Sequence, residues 1–181
     1  MDTTRTHQLK DGRTLTIREA APDDAAAIVA YLQQVPYESP YLGFGPGEFT
    51  TTVEQEVAII EDHIQSDNKI FLIGLIDGEI ASVNNFAGGH RQRSRHVGEF
   101  GITVREKYWG HGIASHMLTL LLDWAKSTGI VRKINLVTRV DNHGAIHVYK
   151  KLGFVQEGVH RRSMYLDGTF YDAIFMGIDI D

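Results

Sequence analysis

The stretch VREKYWGHGIAS, Val104 to Ser115, sets Gly110 and Gly112 on either side of His111, where a strand-like run gives way to a helical one. Helix starts usually carry Ser, Thr, Asp or Asn to cap their free N–H groups. Glycine offers no capping oxygen and costs backbone entropy. It does offer clearance: with no Cβ in the way, an anion can reach the N–H groups and the positive end of the helix dipole. The turn therefore reads as a phosphate site, with a tight turn that binds nothing as the alternative spacing leaves open. Neither the third glycine of the dinucleotide fingerprint nor the Gly-Lys-Ser/Thr of a P-loop follows, which disfavours NAD and ATP. Downstream, in DNHGAIHVYKKLGF, Asn142, Ala145 and Tyr149 fall at i, i+3 and i+7 and share one helix face. That face presents an amide, a small residue and a phenol. An ordinary core tyrosine would read the same in isolation; the two segments together point to a site. His143 and His147 stand at i, i+4, as zinc ligands can, but with no HExxH motif, cysteine or evident third ligand no metal is expected.

The bulk composition narrows the choice of function. With 181 residues, 43% hydrophobic and 23% charged, the chain suits a single domain, residues 1–181, with a sizeable core. A net charge of −5 argues against nucleic acid as the main partner. The absence of cysteine removes disulfides, thiolate metal sites and a cysteine nucleophile. The beginning, MDTTRTHQLKDGRTLTI, has no apolar core of signal-peptide type, and the longest apolar stretch, around MLTLLLDWA, is too short for a bilayer. A cytoplasmic location without membrane association is expected.

The elements that must position these residues follow from periodicity. TLTIREA alternates as a strand, and APDDAAAIVAYLQQV follows as a helix with Pro22 and Asp23 as start signals. PYESPYLGFGPGEFT, residues 36–50, holds three of the four prolines and is a long irregular loop of the kind that carries function. TVEQEVAIIEDHIQ is a second amphipathic helix. The runs either side of Asp77-Gly78 form a hairpin, as do those either side of Asp167-Gly168. Arg95–Val104 is a strand, and its preceding loop holds Arg91, Arg93 and Arg95, read as a solvated tip. Residues 112–129 are the clearest helix, burying Ala114, Met117, Leu118, Leu121 and Ala125. A strand at Lys133–Val140, a short helix capped by Asp141 or Asn142, and the final hairpin complete the order β-α-α-β-β-β-α-β-α-β-β. A mixed sheet of about seven strands, mostly antiparallel and flanked by about four helices, is the α/β (mixed α+β) fold this order predicts.

The segments V-x-x-K-Y-W-G-H-G-I-A-S and N-H-G-A-I-H-V-Y-K-K-L-G-F, taken together, resemble the GNAT superfamily of acyl-CoA-dependent N-acyltransferases. The closing EGVHRRSMYLDGTFYDAIFMGI is similar to its ribosomal-protein N-terminal acetyltransferase-like branch. The resemblance runs in order along nearly the whole chain. It implies acetyl-CoA as cosubstrate, its pyrophosphate on Trp109, Gly110, His111, Gly112, Ile113, Ala114 and Ser115. The strand Ile102, Thr103, Val104 would pair with the pantetheine arm, with Asn142 and Ala145 beside it and Tyr149 at the sulfur. Lys107 stands where the family pattern carries Arg or Gln, and can face a phosphate as a point charge. Terminal strands of this family often take part in dimers, so a homodimer is among the assemblies implied.

Transfer from a thioester to an amine needs an acceptor that loses its proton, donors for the tetrahedral oxyanion and a proton for the departing thiolate. Direct transfer in a ternary complex is expected, with Tyr149 as the acid and a backbone N–H near Ile102–Val104 for the oxyanion. Glu99 occupies the strand position where the resembling branch places a glutamate, and is the expected base, acting through water. His96, the alternative, falls on the opposite strand face by alternation. The acceptor is expected to meet Tyr37, Glu38 and Tyr41, with Glu38 as the carboxylate for a cationic amine. The competing function class is a module that binds acyl-CoA without catalysis.

Overall fold

The structure, a computed structural model, describes residues 3–181. Its strands are β1 (Arg5–Gln8), β2 (Thr14–Glu19), β3 (Lys69–Ile76), β4 (Glu79–Gly88), β5 (Val97–Val104), β6 (Lys133–Arg139), β7 (Val155–Leu166) and β8 (Thr169–Asp179). Its α-helices are α1 (Ala25–Gln34), α2 (Val53–Gln65), α3 (Ile113–Thr128) and α4 (His143–Lys151). One sheet of eight strands runs in the order β1-β2-β3-β4-β5-β6-β8-β7. Every neighbouring pair is antiparallel except β5–β6. A parallel pair needs a crossover, and α3 supplies it.

The sheet has one strand more than the seven expected. The addition is β1, whose sequence RTHQ is polar and half exposed, so it shows no apolar alternation. It is held by pairing with β2, Arg5 opposite Ile17 through Gln8 opposite Thr14. The hairpins fall as expected, with positive φ at both Asp77 and Gly78 and at both Asp167 and Gly168, the backbone of tight turns that match strand twist.

Each sheet face carries its own core. On one side, α3 buries Met117, Leu118, Leu121 and Ala125, joined by Ile113 and Leu120. Each fully buried large aliphatic side chain contributes about 1.5–3 kcal/mol. Ala114 is only half buried, a departure from the expected stripe, because it turns toward a cavity described below. On the other side, Ile28, Tyr31 and Val35 of the α1 region and Ile60 of α2 pack on Phe71, Ile73 and Val83. The start of α2 is closed by a reciprocal pair: the Gln55 N–H donates to Thr52 Oγ1, and the Thr52 N–H donates to Gln55 Oε1. No helix among the described residues is long and apolar enough to cross a membrane.

Candidate active site

The site begins where two strands part. β5 and β6 pair only at Val97–Lys133, Gly98–Ile134 and Glu99–Asn135. Beyond that rung β5 continues for five residues, bonded to β4 alone. The carbonyls of Gly101 and Thr103 are held from the β4 side by Asn84 Nδ2 at 2.8 Å and Ser82 Oγ at 2.7 Å. By strand alternation, the N–H groups of Ile102 and Val104 and the carbonyl of Ile102 therefore point into the gap. The Val104 carbonyl is taken by the Trp109 indole N–H at 2.8 Å, which fixes the turn that follows. The wedge opens into a cavity of about 940 Å³.

The glycine turn borders this wedge. Gly110 has φ +78° and Gly112 φ +82°, and a Cβ at Gly110 would meet nothing within 4 Å. Two left-handed positions favour glycine whatever the ligand, a reason beyond the clearance read from the sequence. Gly112 is the N-cap of α3 and provides no side-chain cap, so the first N–H groups of the helix are left open at a cavity that Gly112, Ile113 and Ala114 line. The start of α4 is similar. Asn142 holds the N-cap position, but its Nδ2 donates to Thr138 Oγ1 at 3.0 Å rather than capping the helix. Asp141 is occupied by Arg139, through Nε at 2.9 Å and a second nitrogen at 2.6 Å. Two helix starts without side-chain caps thus meet at one cavity, a ready arrangement for an anion or for carbonyl-rich ligands.

Tyr149 closes the narrow end. Its ring packs edge-on to Phe100 at 5.9 Å, the residue just past the last β5–β6 rung. It is buried, lines the cavity, and has no hydrogen bond to its hydroxyl among the described residues. Burial pushes its pKa up to about 12, so the phenol keeps its proton through the neutral range. Glu99 lies one residue from Phe100 but on the opposite face. β4–β5 pairing is unbroken, so Glu99 shares its face with Thr103, whose hydroxyl meets Tyr31 of α1 at 2.9 Å. Glu99 is exposed and stands at the last rung, outside the residues that line the cavity. His96 lies in the turn before β5 and is exposed.

The structure does not gather every residue anticipated from the sequence. Ile102, Thr103, Val104, Trp109, Gly110, Gly112, Ile113, Ala114, Asn142, Ala145, Tyr149 and Tyr41 all line the cavity. Lys107 does not: its ammonium meets Glu79 at 3.1 Å, which raises its pKa. His111 turns to Asp11, Nδ1 to Oδ2 3.3 Å; Asp11 is held down at about 2, chiefly by Arg13. Ser115 and Tyr37 also lie outside, Tyr37 being 68% exposed. Glu38 needs the firmest correction. Its carboxylate accepts from Arg105 Nε at 2.7 Å and from the Glu106 N–H at 2.8 Å. It fastens the 36–50 loop to the end of β5 instead of facing the cavity.

Among the lining residues that escaped the sequence reading, two are polar groups on the β4 and α2 walls. Asn85 is exposed on the face shared with Glu99. Glu56 of α2 is 2% exposed, and burial raises its pKa. A signal for Glu56 existed: Glu56, Ile60 and His63 share one buried face of α2, and a carboxylate on such a stripe is out of place.

Residues 30–154 match the model of the Acetyltransferase (GNAT) family. A crystal structure of a GNAT-family acetyltransferase from Streptococcus pneumoniae superposes with a TM-score of 0.90 at 35% identity, covering 92% of this chain and 99% of that one. The L-amino acid N-acetyltransferase of Escherichia coli is 33% identical over 58% of this chain; the match spans 65% of its own length, just under two thirds. Spermidine N(1)-acetyltransferase of E. coli is 26% identical over 86% of this chain and 76% of its own length.

Proposed function

The chain belongs to the GNAT acetyltransferase family and is an acetyl-CoA-dependent N-acetyltransferase; from that premise we propose that it passes the acetyl group directly to a primary amine held on the α1–α2 side of the sheet. The observation that carries this reading is the parting of β5 from β6 beside two helix starts without side-chain caps. The residues fit the cosubstrate. An open strand edge at Ile102 and Val104 suits the amides of pantetheine, and the open N–H groups after Gly112 suit a pyrophosphate.

In this reading the acceptor ammonium gives up a proton through water to Glu99, which stands on the acceptor face at the last rung. The free amine attacks the thioester carbonyl, and a backbone N–H of the open β5 edge stabilises the oxyanion. Collapse breaks the carbon–sulfur bond. The nitrogen releases its second proton to water and Tyr149 gives its proton to the departing thiolate, leaving amide and free thiol as products; a proton from water restores the phenol. The absence of cysteine supports direct transfer over a thioester on the enzyme. A buried phenol with no protein partner beside the wedge favours catalysis over binding alone.

The test is release of free thiol from acetyl-CoA in the presence of amines. Amine-dependent release with one acetylated amine per thiol is the expected result. Binding of acetyl-CoA with no release toward any amine would replace the enzyme with a binding module.

A further inference from the structure

The cavity holds an electrostatic imbalance that acetyl-CoA does not explain. Glu56 lines it from the first turns of α2 and is 98% buried, as its 2% exposure records. Among the described residues, no hydrogen bond or ion pair reaches its carboxylate. No lysine or arginine among the described residues lines the cavity. The cations nearest the site are engaged: Arg105 with Glu38, Arg139 with Asp141 and Lys107 with Glu79. His63, on the same helix face, is turned to the Ile59 carbonyl at 2.7 Å, and burial lowers its pKa, so it stays neutral. A buried carboxylate without a partner is costly, and no cation among the described residues offsets it. The surrounding walls include Phe44, Phe49 and Phe71, aromatic side chains of the kind that attract cations, while the Tyr41 ring already carries the Arg139 guanidinium at 5.1 Å.

Resting on the acetyltransferase reading, we infer that Glu56 is a specificity-determining residue that binds a positive charge of the acceptor other than the nitrogen being acetylated, and so selects diamines over monoamines and free amino acids. The separation of roles follows from the chemistry. A carboxylate paired with the reacting nitrogen would hold it protonated and oppose attack, whereas a second ammonium keeps its charge through the reaction. Glu56 belongs to the helical wall, while Glu99 stands on β5 at the reacting end. A free amino acid fares worst, because its carboxylate would face Glu56 with no lysine or arginine to receive it.

The experiment compares putrescine, n-butylamine and L-alanine as acceptors for the wild-type protein and for Glu56→Gln, following thiol release. The wild type should favour putrescine over n-butylamine in kcat/KM by about 10- to 100-fold, the range for a charge-assisted contact. Glu56→Gln should raise the putrescine KM by a similar factor, leave n-butylamine within about two-fold, and leave the acetyl-CoA KM unchanged. Glu56→Asp, which keeps the charge, should retain part of the preference and covers the case in which the amide variant fails to fold. Equal diamine selectivity in wild type and variant overturns the inference. So does a fall in kcat shared by both amines at unchanged KM, which would place Glu56 in proton transfer. Failure of the acetyltransferase reading itself looks different: wild-type protein would release no thiol with any amine.

Discussion

The two walls of the cavity are built by different means. One wall is main chain: the open edge of β5 beyond Glu99, the turn at Gly110 and Gly112, and the starts of α3 and α4, neither of which has a side-chain cap. The other is side chain: Tyr41, Phe44, Phe49 and Phe71, with Glu56 buried among residues of α1, α2 and the 36–50 loop. Even the helix starts differ. α2 closes its own N–H groups with Thr52 and Gln55, whereas α3 leaves its groups open. A main-chain wall suits a ligand that never changes, because backbone groups vary little with sequence. A side-chain wall is where substitution alters the acceptor without disturbing the cosubstrate.

Substitutions on each side test this division. Tyr149→Phe should cost the most, lowering kcat by about 100-fold or more, the usual worth of a positioned general acid. Acetyl-CoA affinity should stay within about two-fold. Unchanged turnover across pH would remove Tyr149 from the chemistry. Since its pKa lies at about 12 against an ordinary 10.0, kcat should show no basic limb from this group up to pH 10. Between those values the folded state keeps a proton the unfolded state has lost, so its contribution to stability falls as pH rises through that window.

Next in size is Gly110→Val. It should raise the acetyl-CoA KM by about 10-fold and cost about 1–2 kcal/mol of stability from its left-handed backbone. Gly129→Ala, at φ +64° beyond the far end of α3, carries similar strain and should leave that KM unchanged. If both variants alter it equally, the turn is structural only.

Glu38→Gln follows. Losing its contacts with Arg105 and the Glu106 N–H should destabilise the fold by about 1–2 kcal/mol in urea unfolding, with no change in acceptor KM. A rise in that KM would restore Glu38 to the acceptor site. The smallest effect is on the stability of Glu56→Gln. Removing a buried, unpaired carboxylate should raise stability by about 1 kcal/mol at neutral pH. The folded-state pKa is raised above 4.5, so the wild type gains stability as pH falls, and the difference between the two proteins should vanish near pH 4.5.

The same division explains what the sequence revealed. Local features leave a local mark: Gly110 and Gly112 before an apolar helical run, and Asn142, Ala145 and Tyr149 at helical spacing, fall on the cavity lining as neighbours in sequence that remain neighbours in space. The parallel crossover, the hairpins and the boundaries of α3 were legible for that reason as well. β1 was missed because a polar four-residue edge strand is defined by its partner rather than its own pattern. The side-chain wall was harder to read because it depends on long-range pairing. Glu38 looked free until Arg105, 67 residues away, took its carboxylate. Glu56 was not singled out in an amphipathic helix, and its burial comes from the packing of α2 against α1 and β3. Lys107 and His111 lie in the right segment, yet Glu79 and Asp11 draw their side chains aside.

In the proposed reaction a main-chain wall delivers the acetyl group to an amine held by a side-chain wall. The most direct measurement is thiol release from acetyl-CoA by the wild-type protein against putrescine, n-butylamine and L-alanine. The expected result is amine-dependent release, one acetylated amine per thiol, fastest with the diamine. Tight acetyl-CoA binding with no amine-dependent release would contradict it.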